Sequence, residues 1–199
     1  MTQAKTRRDR NAEATRQVIM QAGRELFATR PYPDVTGQQI CARAGVTYGA
    51  LQHHFGNKLG LFTAVFDRLQ SDVVARITDA LAAHDDPWEQ ARAAMVVYLD
   101  ACTAPEYQTV VLKEAPAALG WQRWRERHRD DFASTVRELI GNFAAADLIK
   151  QSPITFAAIM RGALTELSFQ ITRSNDQTQA RTAALAALDE LMSKFRELT

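Results

Sequence analysis

The chain has 199 residues, of which 46% are hydrophobic, and its formal net charge at pH 7 is +1. No apolar run is long enough to cross a bilayer and the basic start lacks the apolar core of a secretion signal, so we predict a cytoplasmic protein without membrane contact. Its two cysteines, Cys41 and Cys102, provide neither a disulfide framework nor a metal-ligand spacing, and Cys41 is expected to be a small buried thiol.

The first third of the chain is basic and the remainder is acidic. Residues 1–60 contain nine Lys and Arg against four Asp and Glu, or +5, whereas residues 61–199 contain fifteen against nineteen, or −4. This asymmetry is typical of a protein in which one part contacts nucleic acid and the other does not. Four basic side chains at the start are expected either to follow the DNA phosphates as a flexible arm or to remain solvated: Lys5, Arg7, Arg8 and Arg10.

The first predicted helix has one apolar face, which consists of Val18, Ile19, Ala22, Leu26 and Phe27. Two short helices joined by a turn follow between Thr36 and Phe55. Thr36 and Gln39 have the spacing of a capping box, Gly45 can adopt the left-handed backbone of a tight turn, and Thr47 can cap the second helix. Such a pair is the helix-turn-helix arrangement, which places its second helix in the DNA major groove.

Four sequence blocks in this region resemble the N-terminal DNA-binding domain of the TetR family of bacterial transcription regulators. They are RQVIMQAGRELF (16–27) followed by a Thr36 cap, ICxxAGVTYGAL (40–51), HHF (53–55) and KxxL (58–61). The resemblance implies an all-α protein of about nine helices. Its N-terminal arm and three-helix helix-turn-helix domain would cover residues 1–56, with the motif at 36–55, and a helical effector-binding and dimerisation domain would cover residues 57–199.

The exposed side of the second short helix is the predicted base-reading surface. Ala50 can touch a thymine methyl group, Lys58 is expected to bind a phosphate, and Gln52, which replaces a tyrosine usual in the family, can bond a phosphate or an adenine edge. A metal site at His53 and His54 is rejected because adjacent helical side chains diverge by about 100°. The predicted DNA-binding residues are Thr36, Gln38, Thr47, Tyr48, Gly49, Ala50, Gln52, His53 and Lys58.

A helical period continues through the rest of the chain. Asn57 is predicted to cap a long helix that leads from the first domain into the second, and Asp85-Asp86-Pro87 to start another that ends at Ala104-Pro105. A shorter helix at about 106–114, an irregular stretch near 116–120 and one helix with an apolar stripe over 121–143 follow. The last two helices are predicted to start at Ser152-Pro153 and after Asn175-Asp176.

Wide side chains with polar tips recur on the middle helices. For each one alone core packing is the simpler interpretation, but together they are typical of a pocket for a small apolar or aromatic effector. Charge is expected from Glu114, Arg125 or Glu166, which are equally compatible with the surface. The predicted ligand-binding residues are Trp88, Met95, Tyr98, Trp121, Trp124, His128, Phe132 and Phe169.

The penultimate helix is apolar on two sides, which a helix covered on one side does not need. Small residues there and on the last helix allow close helix packing, so a four-helix bundle between two chains is predicted. The predicted interface residues are Ala158, Gly162, Thr165, Phe169, Ala184, Ala187, Leu188 and Leu191.

These features favour a homodimeric regulator that binds a palindromic double-stranded operator and is released by a small effector. Two alternatives stay open: a ligand-independent DNA-binding regulator with a filled core, and an all-α enzyme that uses the same cavity. No motif for phosphate binding, nucleophilic catalysis or zinc binding is present in the sequence, and we predict neither a cofactor nor a metal.

Overall fold

The computed structural model describes residues 7–146, 148 and 152–197. Within these ranges every regular element is helical, which confirms the all-α class. The α-helices are α1 (Arg7–Thr29), α2 (Gly37–Ala44), α3 (Tyr48–Phe55), α4 (Lys58–Ala82), α5 (Pro87–Thr103), α6 (Pro105–Tyr107), α7 (Ala115–Leu119), α8 (Trp121–Asp131), α9 (Ala133–Ala145), α10 (Pro153–Arg173) and α11 (Gln177–Glu197). A 3-10 turn covers Tyr32–Asp34, and a π-helix, Gln108–Glu114, joins α6 to α7.

The helix starts are fixed by the side chains that the sequence indicates. The Gln39 amide N–H donates to Thr36 Oγ1 at 3.2 Å, and the Thr36 amide N–H donates to Gln39 Oε1 at 2.8 Å, so the capping box is formed. Asn57 Oδ1 caps α4 by accepting from the Gly60 N–H at 2.9 Å. Each bond satisfies a backbone donor that the first helical turn leaves unpaired.

Helices α1 to α3 form a small domain around one apolar core. Ile19 and Phe27 from α1 and Ile40 from α2 are fully buried there. Gly45, with φ of 66°, makes the turn between α2 and α3. The prediction for Val18 is wrong: its side chain is 47% exposed, because α1 turns the Ile19 side of the helix toward its neighbours.

Helix α4 connects the two parts of the molecule. Its first turns contribute Leu61 and Phe62 to the core of the small domain, while Ile77 and Leu81, near its other end, are buried beneath α5. Helices α10 and α11 also pack against α5. One rigid element therefore takes part in both cores.

The middle of the chain differs from the sequence prediction in two places. Residues 105–119 form one continuous helical segment, which ends at Gly120 with φ of 87°, instead of a helix followed by irregular chain. The stripe from 121 to 143 is two helices because Phe132, with ψ of 2°, leaves the helical conformation. That turn brings the Phe132 ring against Tyr98 and His128. Counting residues 105–119 as one helix, the described ranges hold one more than the nine expected.

The small domain is tied to the helical segment 105–119 by two carboxylates. Glu106 accepts two bonds from the Arg24 guanidinium, at 2.6 and 2.7 Å, and Glu114 accepts from the Tyr32 amide at 2.8 Å. All three bonds reach from the second domain to the first. A displacement of this segment would therefore move α1 and the loop that precedes α2, or break these bonds.

Candidate DNA-binding surface and effector cavity

The outer face of α3 carries the polar side chains that the sequence predicts for base contact. Tyr48, Gly49, Gln52 and His53 are all exposed, and the i, i+4 spacing sets them in two adjacent rows. The Tyr48 ring lies across the start of α2, since a Cβ atom on Gly37 would be 2.7 Å from Tyr48 Cε2. Gly37 therefore leaves the space that the ring occupies.

Three further predicted DNA contacts also lie on the surface. Thr36 and Gln38 are exposed at the start of α2, and Thr47 is exposed before α3, where its Oγ1 accepts from the Ala50 amide at 3.3 Å. The hydroxyl hydrogens of both threonines remain available to a phosphate. Ala50 itself is half-buried and packs against the core, so its methyl group is less available to a base than expected.

Lys58 is placed differently from the prediction. Its ammonium donates to the carbonyl oxygens of Tyr32 at 2.9 Å and Val35 at 2.8 Å, and it lies 4.0 Å from the centre of the Tyr32 ring. Two carbonyls and an aromatic face use most of its capacity to interact. The side chain thus holds the loop before α2 and does not project toward a phosphate.

The predicted basic arm is only partly described. Arg7 and Arg10 are exposed on the first turn of α1, which begins at Arg7, so this part of the arm is helical. Lys5 and the side chain of Arg8 lie outside the described residues.

A cavity of about 140 Å³ lies in the second domain. Its lining includes buried residues of α4 and α5, such as Ile77 and Met95, and residues of α9 and α10, most of which are half-buried. The lining is almost entirely apolar. It consists of Ile77, Ala91, Ala94, Met95, Tyr98, His128, Phe132, Thr135, Val136, Leu139, Ile140, Phe143, Phe156, Ala157, Met160, Arg161, Leu164, Thr165 and Met192.

Four of the eight predicted ligand-binding residues line this cavity: Met95, Tyr98, His128 and Phe132. The other four do not. Trp88 is buried behind the wall against Phe143 and Phe156, and Trp124 is buried with its Nε1–H donating to the Val111 carbonyl at 2.9 Å. Trp121 is 52% exposed, and Phe169 packs against both Trp121 and Trp124 and is not part of the cavity lining.

The three charged residues proposed for the pocket also lie elsewhere. Glu114 binds the Tyr32 amide, Arg125 is exposed on α8, and Glu166 pairs with Arg173 on the surface. The charged side chain on the lining is Arg161, which the sequence did not single out. Its spacing of four residues from Ala157 and Thr165, both on the lining, is the signal that would have pointed to it.

One end of the cavity is backed by a buried hydrogen-bond network. The Tyr107 hydroxyl donates to Gln70 Oε1, Gln70 Nε2 lies 2.7 Å from His128 Nδ1, and His128 Nε2 lies 3.2 Å from the Tyr98 hydroxyl. Gln70 is fully buried although it is a polar residue. The network links α4, α5, α8 and the segment 105–119, so it fixes the packing of four elements around the cavity.

Burial keeps the imidazole of His128 neutral. Desolvation lowers the pKa of His128 to about 4, because the charged form has no water around it. Its ring is stacked on Trp124 at 5.3 Å, with an angle of 10° between the planes. The side chain therefore supplies a hydrogen bond to the network and no charge to the cavity at neutral pH.

The predicted dimer residues divide between the surface and the interior. Ala158, Gly162 and Ala187 are exposed, and Ile154 and Ile159 extend the apolar surface of α10 with exposures of 75% and 46%. Ala184 and Leu188 were assigned to the wrong face: they are buried within the chain, since α11 turns that side toward its own core. Thr165, Phe169 and Leu191 are half-buried, and Thr165 lines the cavity.

No group of three or more His, Cys, Asp or Glu side chains suited to a metal ion occurs in the described part of the chain. Among the same residues, no helix is both long and apolar enough to cross a membrane. Both cysteines are buried free thiols, as expected for Cys41.

Two family profiles together match most of the chain. Residues 19–65 match the profile described as bacterial regulatory proteins, tetR family, and residues 88–195 match the tetracyclin repressor-like C-terminal domain. The first match contains α2 and α3, and the second contains the cavity walls from Ala91 to Met192.

Individual relatives agree with these profiles. The HTH-type transcriptional regulator SrpR of Pseudomonas putida is 29% identical over 175 residues, which cover 83% of this chain and 79% of that protein. The uncharacterized HTH-type transcriptional regulator TtgW of the same species is 38% identical over 95 residues, or 48% of this chain and 68% of TtgW. The crystal structure of a TetR-family transcriptional regulator from Pectobacterium atrosepticum superposes with a TM-score of 0.80 at 29% identity, covering 96% of this chain and 97% of that one.

Proposed function

Because the chain belongs to the TetR family of bacterial regulatory proteins, we propose that it is a repressor released from its operator by a small effector. It is a DNA-binding transcriptional regulator. The observation that carries the proposal is the position of α4, which shares one core with the helix-turn-helix and lines the cavity with Ile77. Membership of a regulator family favours this activity over catalysis in the cavity, and we place it in the cytoplasm.

DNA binding is assigned to α3, with Tyr48, Gln52 and His53 reading bases. The DNA phosphates are contacted by Thr36 and Gln38 at the start of α2 and by Thr47 before α3. Two copies of α3 related by a twofold axis would have to lie about 34 Å apart to enter successive major grooves on one side of the duplex. A palindromic operator with half-sites about one turn apart follows from this geometry.

We assign the dimer interface to the exposed apolar side of α10 together with Ala187 of α11. Ile154, Ala158, Ile159 and Gly162 form a surface that one chain leaves open to solvent. Within the described residues, a Cβ atom on Gly162 would meet no neighbouring atom within 4 Å, so packing inside this part of the chain does not require a glycine there. Without a side chain at this position, the α10 helix of a second chain can approach closely.

Release requires an effector that prefers a dimer geometry other than the one that fits DNA. A ligand shifts such an equilibrium only by its differential affinity for the two states, and about 1–3 kcal/mol of coupling is ordinary. The cavity favours this mechanism over a ligand-independent regulator, for which a filled core is expected. The carboxylates Glu106 and Glu114 offer a second route, besides α4, from the cavity side to the DNA-binding domain.

The function is tested by selecting a duplex from a random library and measuring its affinity by fluorescence anisotropy. We expect a palindromic sequence to be enriched, and its affinity to fall steeply with salt because phosphate contacts release counterions. Effector release is measured by adding hydrophobic compounds to the complex. Failure to enrich any sequence would contradict the DNA-binding assignment, and an operator affinity that no bound compound changes would contradict ligand release.

The dimer is tested by light scattering on Gly162→Leu. We expect the substitution to weaken association while the single chain keeps its helical content, because the added side chain clashes only with a partner. Gly141→Leu is the matched control, since a Cβ atom there also meets nothing within 4 Å but the residue lies on α9. Loss of folding in Gly162→Leu, or equal dissociation in both variants, would refute this interface.

A further inference from the structure

The cavity lining contains a cation that pairs with no carboxylate among the described residues. Arg161 is half-buried on α10 and lies on the lining. Within the described ranges, none of the ion pairs and none of the side-chain hydrogen bonds involves its guanidinium. By contrast, Arg92 pairs with Asp189 and Arg181 pairs with Asp100. An unpaired cation that is partly removed from water, beside apolar side chains, raises the free energy of the folded protein unless a ligand supplies the opposite charge.

Arg161 is the charged residue of an otherwise mostly apolar lining. Arg161 is one of the half-buried lining residues, whereas Met95, Phe143 and Met160 on the same lining are buried. A molecule with an apolar body can contact the buried side chains while its charged group stays beside the half-buried Arg161. The guanidinium is suited to such a group because its planar donors match the two oxygens of a carboxylate.

The remaining polar groups of the lining carry no positive charge at neutral pH. His128 is neutral and engaged at both ring nitrogens, as its bonds to Gln70 and Tyr98 show. Because Gln70 Nε2 donates to Nδ1, the imidazole proton is on Nε2 and is directed to the Tyr98 oxygen. The Tyr98 hydroxyl therefore accepts from His128 and can donate its own hydrogen to another acceptor. An anionic oxygen is a stronger acceptor for this hydrogen than a neutral one.

The volume limits the size of the ligand. An apolar protein cavity of about 150 Å³ is known to accept a benzene molecule, and this cavity measures about 140 Å³. We propose, on the premise of the function above, that the effector is a small organic anion with an apolar body, about the size of a single-ring aromatic carboxylate, and that its charge pairs with Arg161.

The proposal is tested by calorimetric titration of the full-length protein with three carboxylates and their amides. The pairs are benzoate and benzamide, phenylacetate and phenylacetamide, and octanoate and octanamide. Each pair keeps the apolar body and removes the charge. We expect at least one acid to bind about tenfold or more tightly than its amide, the usual size of a hydrogen bond to a charged group.

The residue is tested with Arg161→Met, which keeps an unbranched apolar stem and removes the charged guanidinium. We expect acid affinity to fall about tenfold or more while amide affinity changes less than about twofold. Arg173→Met on the same helix is the control, because Arg173 is exposed and outside the lining, and it should change neither. Circular dichroism establishes that each variant is folded. The comparison of acids with their amides is made on the wild-type protein and does not depend on the folding of a variant.

Three outcomes would overturn the proposal: amides that bind the wild-type protein as tightly as acids, equal losses for acid and amide in Arg161→Met, or no binding of any acid at millimolar concentration. Neutral compounds that still dissociate the operator complex would then leave the released-repressor function standing. Conversely, acids that bind through Arg161 without changing operator affinity would contradict that function and leave the anion site in place.

Discussion

The helix-turn-helix and the cavity are held together in different ways. All parts of the first lie between Thr36 and Lys58, and backbone caps and two glycines with positive φ fix its geometry. The cavity is assembled from side chains between Ile77 and Met192, which meet only when six helices pack. Substitutions in the helix-turn-helix should therefore alter function by changing the backbone. Substitutions in the cavity should alter it by changing the buried area, the charge or the protonation of side chains.

The largest effect is expected from Gly60→Ala, which tests the backbone dependence of the helix-turn-helix. A Cβ atom at this position would lie 2.0 Å from the carbonyl oxygen of Phe55, so the turn between α3 and α4 must open. We expect a loss of about 3 kcal/mol in the free energy of unfolding and loss of operator binding. Denaturant unfolding measures the first effect and anisotropy the second.

Gly141→Ala is the control for this substitution. Its Cβ atom meets nothing within 4 Å, and alanine is the better helix former by about 1 kcal/mol, so α9 should be unchanged or slightly more stable. Equal stability of the two variants would show that the close contact at Gly60 has no consequence.

A comparable effect is expected from protonation of the network behind the cavity. The folded pKa of His128 is about 4, below the usual value of about 6.5, so the unfolded chain binds this proton first as the pH falls. The stabilisation is complete above pH 6.5 and is lost progressively toward pH 4, by about 3 kcal/mol. Unfolding free energies measured between these pH values, for wild type and His128→Gln, isolate the contribution.

One result would contradict this prediction. If wild type and His128→Gln lose stability in parallel between pH 6.5 and 4, the network is not the site of the proton effect.

Tyr48→Ala should separate DNA recognition from stability. Its ring is 46% exposed, so the melting temperature should change little, while operator affinity should fall by about 1–3 kcal/mol if the residue reads a base. Trp121→Ala removes an equally exposed aromatic ring from the second domain and should leave operator binding unchanged. A large loss of helical content in Tyr48→Ala would mean that the contact of its ring with Gly37 is structural.

Lys58→Met distinguishes a residue that holds the loop from one that binds phosphate. Removal of its bonds to the Tyr32 and Val35 carbonyls should cost about 1–2 kcal/mol of stability. The slope of the logarithm of affinity against the logarithm of salt concentration should stay as in wild type. Arg7→Gln with Arg10→Gln should instead lower the slope if both bind phosphates, by about 0.9 per contact. A smaller slope in Lys58→Met would indicate instead that Lys58 binds a phosphate, as the sequence predicts.

Interactions between residues a few positions apart were determined by the sequence itself. The capping box of Thr36 and Gln39, the turn at Gly45 and the cap at Asn57 require only the local backbone, so their residue types and spacing are sufficient. The alternation of buried and exposed positions on α3 follows from helical geometry for the same reason. The all-α class and the helix-turn-helix were predictable on this basis.

Partners that lie far apart along the chain were decided by the tertiary structure. Lys58 could be assigned to a phosphate because nothing in its neighbourhood reveals the carbonyls of Tyr32 and Val35, more than twenty residues away. Helical period shows that Trp124 and Arg161 each belong to a face, but only the packing angle of α8 and α10 puts Arg161 on the cavity and Trp124 behind it. In the same way, Leu188 and Ala187 are neighbours on α11, and the rotation of that helix about its axis decides that the first is core and the second is surface.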